Sequence, residues 1–122
     1  MLKPKILLID NEPDFVELTK VNLQNSGFEV FGAFSGKEGI DKFGQVQPDL
    51  VLLDILMPEM DGFEVLHRIR KIYPQAKNTP IIMLTAIRDS DSIFKSLDRK
   101  ATDYIMKPFV LQDLLGLINK YI

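Results

Sequence analysis

Two kinds of hydrophobic spacing alternate along the chain. Nearly unbroken apolar runs stand at Lys5–Ile9 (KILLI), Leu50–Asp54 (LVLLD) and Ile81–Thr85 (IIMLT), the pattern of strands covered on both faces of a parallel sheet. Glu29–Ala33 (EVFGA) and a short run at Tyr104–Met106 complete five predicted strands. Helical spacing fills the intervals, with Val65, Ile69 and Ile72 after Gly62, and Leu111, Leu114, Leu115, Ile118 and Ile122 as the cleanest apolar stripe. Pro13–Ser26, Lys37–Val46 and Ser90–Arg99 predict further, weaker helices. Thr19 and Asn22 interrupt the first of these, and the last offers only Ile93, Phe94 and Leu97. Gly27 and Gly36 stand at joints where small residues are expected.

Strand and helix thus alternate five times with short connections. That order implies one doubly wound, five-stranded parallel sheet with right-handed crossovers, spanning residues 1–122 as a single domain. For five strands the expected order is the flavodoxin-like 2-1-3-4-5. Ligands in such sheets sit beyond the carboxyl ends of the strands, where strands 1 and 3 diverge.

Composition narrows the function classes. Of 122 residues, 46% are hydrophobic and 26% charged, as in ordinary globular domains, and no apolar run is long enough to span a bilayer. The first residues lack the small-residue cleavage site of a secretory signal, so a cytoplasmic protein without membrane attachment is expected. The absence of cysteine removes disulfides, thiolate chemistry and cysteine-ligated zinc. A net charge of −2 supplies no general attraction to nucleic acid, and no direct nucleic-acid binding is expected.

The polar residues just past the strands carry the candidate chemistry. Strand 1 delivers Asp10, Asn11 and Glu12, strand 3 Asp54, strand 4 Thr85, and strand 5 Lys107 followed by Pro108. Acids converging on one rim repel each other unless a cation joins them. An all-oxygen donor set without cysteine or a suitably placed histidine suits Mg²⁺. A metal-bridged carboxylate beside a lysine and a hydroxyl suits a phosphoryl group, and the aspartate can itself be the nucleophile that forms an acyl phosphate.

The ordered motifs LLIDNEPD, LVLLDILMPEMDGFEVL, IIMLTA and DYIMKPF resemble the receiver domain of two-component response regulators over essentially the whole chain. The resemblance implies Asp54 as phosphoacceptor, with Asp10, Asn11, Asp54 and the backbone carbonyl of Leu56 holding Mg²⁺. It also implies Thr85 and Lys107 as partners of the phosphoryl group, and Tyr104 as an aromatic switch that follows Thr85 inward. The Lys107–Pro108 peptide is expected to be cis. A histidine kinase or histidine phosphotransfer protein would be the donor, docking through the first helix and the loop around Pro108 and Phe109. The output would be a changed surface on the fourth helix, fifth strand and fifth helix. Such a domain is a phosphoacceptor with slow autodephosphorylation rather than an enzyme with a separate substrate, and an output domain or a homodimer stays open.

Other readings bear on the same residues. Asp61 and Gly62 read as a turn and helix start, Glu12 as a flanking group, and HRIRK at His67–Lys71 as a solvated helix face. Two positions depart from the family's pattern. Asn11 replaces a metal-site acid, which favours a rival reading as a pseudo-receiver that binds partners but takes little phosphate. Lys100 stands where a glycine commonly ends the fourth helix. Leu56 and Ile87, two residues beyond Asp54 and Thr85, are apolar and cannot orient an attacking water. An aspartyl phosphatase would need an acid at Leu56, and a flavodoxin would want Gly, Ser or Thr where Asp10, Asn11 and Glu12 stand.

Overall fold

The computed structural model describes residues 2–86 and 101–122. Five parallel strands, β1 (Lys5–Ile9), β2 (Glu29–Ala33), β3 (Leu50–Asp54), β4 (Ile81–Ala86) and β5 (Asp103–Lys107), form one sheet in the order β2-β1-β3-β4-β5. The connecting helices are α1 (Pro13–Asn25), α2 (Gly36–Val46), α3 (Gly62–Ile72) and, after β5, α4 (Leu111–Tyr121). The helix expected over Ser90–Arg99, together with Ile87 and Lys100, lies outside the described residues. A 3-10 turn at Pro74–Asn78, which the apolar spacing does not predict, leads into β4.

The sheet divides the core into two layers. Leu7, Ile9, Leu53 and Met83 face α2 and α3, where Ile40, Phe43, Val65, Leu66 and Ile69 meet them. Ile6, Leu8, Leu52 and Leu84 face α1 and α4 through Val16, Leu23, Leu114 and Ile118. Every residue of β3 is buried, so a continuous apolar run is what both covered faces demand. Ile72, although in phase with α3, is half exposed, because it ends the helix.

Local chemistry fixes the helix starts. Ser35 accepts from the Glu38 N–H at 3.1 Å while the Glu38 carboxylate accepts from the Phe34 N–H at 2.6 Å, so two otherwise orphaned donors are satisfied at the start of α2. Asp61 caps α3 by accepting from the Glu64 N–H at 2.9 Å. After α1 the chain reverses at Gly27, whose φ of +101° favours glycine. Of the HRIRK segment, His67 is exposed and Arg68 pairs with Glu64 at 3.0 Å. Arg70 turns back to donate to the carbonyls of Ala76 and Thr79, and so holds the 3-10 turn against α3.

Candidate functional site

Strand register builds the site one step at a time. Ile9 pairs with Leu53, so the residues that follow, Asp10 and Asp54, leave neighbouring strands side by side. Asp54 pairs with Leu84, and Thr85 is the next residue of β4. Thr85 pairs with Met106, and Lys107 is the next residue of β5. The four groups form a diagonal across the carboxyl ends of β1, β3, β4 and β5, at the place where ligands collect in sheets of this topology.

Burial makes this rim unusual. Asp10 is fully buried, Asp54 is 6% exposed and Thr85 is 1% exposed, although none of the three is apolar. Lys107 crosses the diagonal, its Nζ 2.7 Å from Asp10 Oδ2, 3.5 Å from Asp54 Oδ1 and 3.9 Å from the exposed Glu12. Among the described residues one ammonium thus answers two buried carboxylates, which leaves them with an excess of negative charge. The cost falls on Asp54: burial first, and then the charge of Asp10, raise its carboxyl from an ordinary 3.8 to about 6. Lys107 and the Leu56 N–H oppose that rise. An aspartate so placed is ionised at neutral pH yet poorly stabilised as an anion, and therefore more basic than a solvated one.

The loop from β3 to α3 folds tightly beneath these groups. The Gly62 N–H donates to the Ile55 carbonyl at 2.8 Å. A Cβ at Gly62 would lie 2.3 Å from the Asp54 carbonyl oxygen and 2.8 Å from Ile55 Cα. Only glycine lets α3 start this close to the acid. Sequence alone marks Gly62 as part of a turn and helix start, and its contact with Asp54 adds a second duty. Leu56, next on the rim, is 61% exposed and projects an apolar side chain at the mouth of the site.

The segment after Lys107 completes the wall. The Lys107–Pro108 peptide is cis. Phe109 meets Phe15 of α1 edge to face, with ring centroids 6.0 Å apart. A groove of about 450 Å³ runs from Lys107 between α1 and α4, lined by Phe15, Leu18, Asn22, Phe109 and Leu111 among others. Glu12, expected to cap or to flank a metal without binding it, occupies the N-cap position of α1 without a side-chain cap, and its N–H donates to Asp10 Oδ1 at 3.0 Å. Tyr104 is half-buried against the core layer of α2 and α3, on the strand that ends in Lys107.

The donor set fits a hard divalent ion. Among the described residues two carboxylates, Asp10 and Asp54, lie together with charge that Lys107 alone does not balance, and no third His, Cys, Asp or Glu joins them. Further protein ligands would have to be neutral oxygens, which the Asn11 amide and the Leu56 carbonyl can supply.

The family model described as the response regulator receiver domain matches residues 6–119. The chain belongs to that family. This receiver domain is 30% identical to chemotaxis protein CheY4 of Vibrio cholerae, with a TM-score of 0.93 over 99% of this chain and 100% of that one. It is 35% identical to a response regulator receiver domain of Clostridium thermocellum, with a TM-score of 0.89 over 98% and 94% of the two chains. Among curated proteins it is 36% identical over 116 residues to the DNA-binding dual master transcriptional regulator RpaA of Synechocystis. The match takes in 95% of the receiver and 48% of RpaA, so the chain spans about half the length of that relative. The flavodoxin-like order expected from the sequence and the two-component assignment both hold. No described helix is long and apolar enough to cross a membrane.

Proposed function

We propose that this receiver domain takes a phosphoryl group onto Asp54 from a phosphohistidine on a histidine kinase or a histidine phosphotransfer protein. The observation that carries the reading is the contact of Lys107 with both buried acids, 2.7 Å to Asp10 and 3.5 Å to Asp54, at the rim of the sheet. The ionised Asp54 oxygen attacks phosphorus as the P–N bond to the donor imidazole breaks. The new P–O bond makes an acyl phosphate, and the imidazole leaves with the electron pair and takes up a proton. Asp10, Asn11, Asp54 and the Leu56 carbonyl would hold Mg²⁺, which supplies positive charge to the transferring oxygens when bound. Lys107 would supply a second positive charge, and the Thr85 hydroxyl would donate a hydrogen bond to the phosphoryl group.

Output follows from a changed charge. The acyl phosphate is a dianion where one carboxylate stood, and it draws Thr85 and Lys107 toward it. Tyr104, half-buried on β5, follows Thr85 inward, and the surface around β5 and α4 changes. The domain acts as a switch that slowly hydrolyses its own acyl phosphate, with any output carried by an attached domain, a second copy or another protein, in the cytoplasm.

Asn11 favours a second reading. An amide in place of an acid removes one charge from the metal site, and a pseudo-receiver would keep the fold while taking little phosphate. Incubation with Mg²⁺ and acetyl phosphate, followed by intact-mass measurement, separates the two. A gain of one phosphoryl group per chain that disappears in Asp54→Asn supports phosphoacceptance, and an unchanged mass supports the pseudo-receiver.

A further inference from the structure

Lys107 has a neighbour that is not an acid. Its Nζ stands 4.2 Å from the centroid of the Phe15 ring, over the face of the phenyl group. A cation in that place is attracted by the negative face of the ring, more strongly where water is partly excluded. The Lys107 side chain is only 21% exposed, so this ammonium is largely withdrawn from solvent. Phe15 is itself held. Phe109 meets it edge to face at 6.0 Å, and both rings pack against the core layer under α1 and α4. Pro13 opens α1 and Phe15 falls in its first turn, so the ring is carried by the helix that begins three residues after Asp10.

The forces on the ammonium can be compared. Asp10 at 2.7 Å and Asp54 at 3.5 Å draw it into the site, whereas the exposed Glu12 at 3.9 Å draws it outward. The phenyl face adds attraction without adding a charge that would have to be neutralised when a phosphoryl group arrives. It also blocks one direction in which a flexible lysine chain could swing.

We infer that Phe15 is a positioning residue for Lys107: its ring face holds the ammonium over the Asp10–Asp54 pair, ready for the incoming phosphoryl oxygens. The inference rests on the reading of Asp54 as phosphoacceptor. Because the same ring lines the groove between α1 and α4, a molecule seated there touches the residue that sets the lysine's place.

Two measurements on Phe15→Leu and Phe15→Tyr test it, with thermal unfolding as a control for packing. By proton NMR, the Lys107 ε-methylene protons lie upfield of those of the other lysines in the wild type and in Phe15→Tyr, and return to the common position in Phe15→Leu. With acetyl phosphate and Mg²⁺, Phe15→Leu is phosphorylated about fivefold more slowly, and Phe15→Tyr recovers the wild-type rate. A methylene position that Phe15→Leu does not move, or a Phe15→Leu rate equal to the wild type, overturns the inference. So does a slow rate in both variants that follows their loss of thermal stability, which marks Phe15 as a packing residue only. A wild-type chain that takes no phosphoryl group overturns the reading of Asp54 instead, and the methylene position then decides alone whether Phe15 holds Lys107.

Discussion

Lys107 and Asp10, 97 residues apart in the chain, meet at 2.7 Å across the carboxyl end of the sheet. Asp10 is fully buried, and among the described residues Lys107 is the basic side chain paired with it. Removing one partner of such a pair leaves an uncompensated charge, which is costlier than the pair is worth. Lys107→Met is therefore expected to lower stability by about 2 kcal/mol in EDTA. Added Mg²⁺ should restore part of that loss by taking over the cation's place beside Asp10. Denaturant melts of both proteins, with and without Mg²⁺, check both statements.

Asp54 should behave in the opposite way. Its carboxyl titrates near 6 in the folded chain and near 3.8 when unfolded, so between those values the folded state binds more protons. Stability without metal must then fall as the pH rises from about 4 to 6, and the penalty persists above that window. Asp54→Asn removes the penalty and should stabilise the protein by about 2 kcal/mol at pH 7 in EDTA, with little effect at pH 4. The same shift bears on the metal. A proton on Asp54 competes with Mg²⁺ for the carboxylate, so the apparent Mg²⁺ affinity should weaken as the pH falls through about 6.

On the proposed function, Asn11 stands where one more acid would add charge to the metal site. Asn11→Asp would add a third acid to a set that holds two, and should tighten Mg²⁺ binding by about tenfold, on the scale of one favourable unit-charge contact. A metal titration of both proteins measures this. Equal affinities would show that residue 11 does not touch the ion.

On the proposed function, Leu56 bears on the attacking water rather than on phosphate transfer. It is 61% exposed at the mouth of the site and has no group to orient a nucleophilic water. The acyl phosphate should therefore be long-lived for a receiver, and Leu56→Asn or Leu56→Glu should shorten its life by about tenfold, the lower end of what a positioned polar group contributes. Following the loss of phosphorylated protein over time gives the comparison directly.

Gly62 is a structural test of the same rim. A methyl group there would meet the Asp54 carbonyl oxygen at 2.3 Å, and backbone cannot move aside as a side chain can. Gly62→Ala should cost about 3 kcal/mol and impair phosphorylation through displacement of the β3–α3 loop.

Much of this was legible before the structure. β1 and β3 are buried on both faces and so had to be continuous apolar runs, and the residues just past them had to stand on the rim. Asp10 and Asp54 stand out on that ground, and Thr85 and Lys107 at the ends of β4 and β5 join them, without any knowledge of side-chain contacts. It does not reach Phe15, because helical spacing tells which face a ring occupies and not which distant cation it will cover. Arg70 escaped for a related reason. Its charge suggests a solvated helix face, whereas its guanidinium serves two carbonyls of a turn that apolar spacing cannot reveal. Gly62 looked like turn chemistry, and only the approach of α3 to Asp54 shows why no larger residue fits.

On the proposed function, Asp54 carries the phosphoryl group as an acyl phosphate. Borohydride reduces an aspartyl phosphate to homoserine, so treating the protein after exposure to Mg²⁺ and acetyl phosphate marks the acceptor permanently, and peptide mass spectrometry locates it. Homoserine at position 54, absent when acetyl phosphate is omitted, is the predicted result. Homoserine at position 10, or none at any aspartate, would rule out Asp54 as the acceptor.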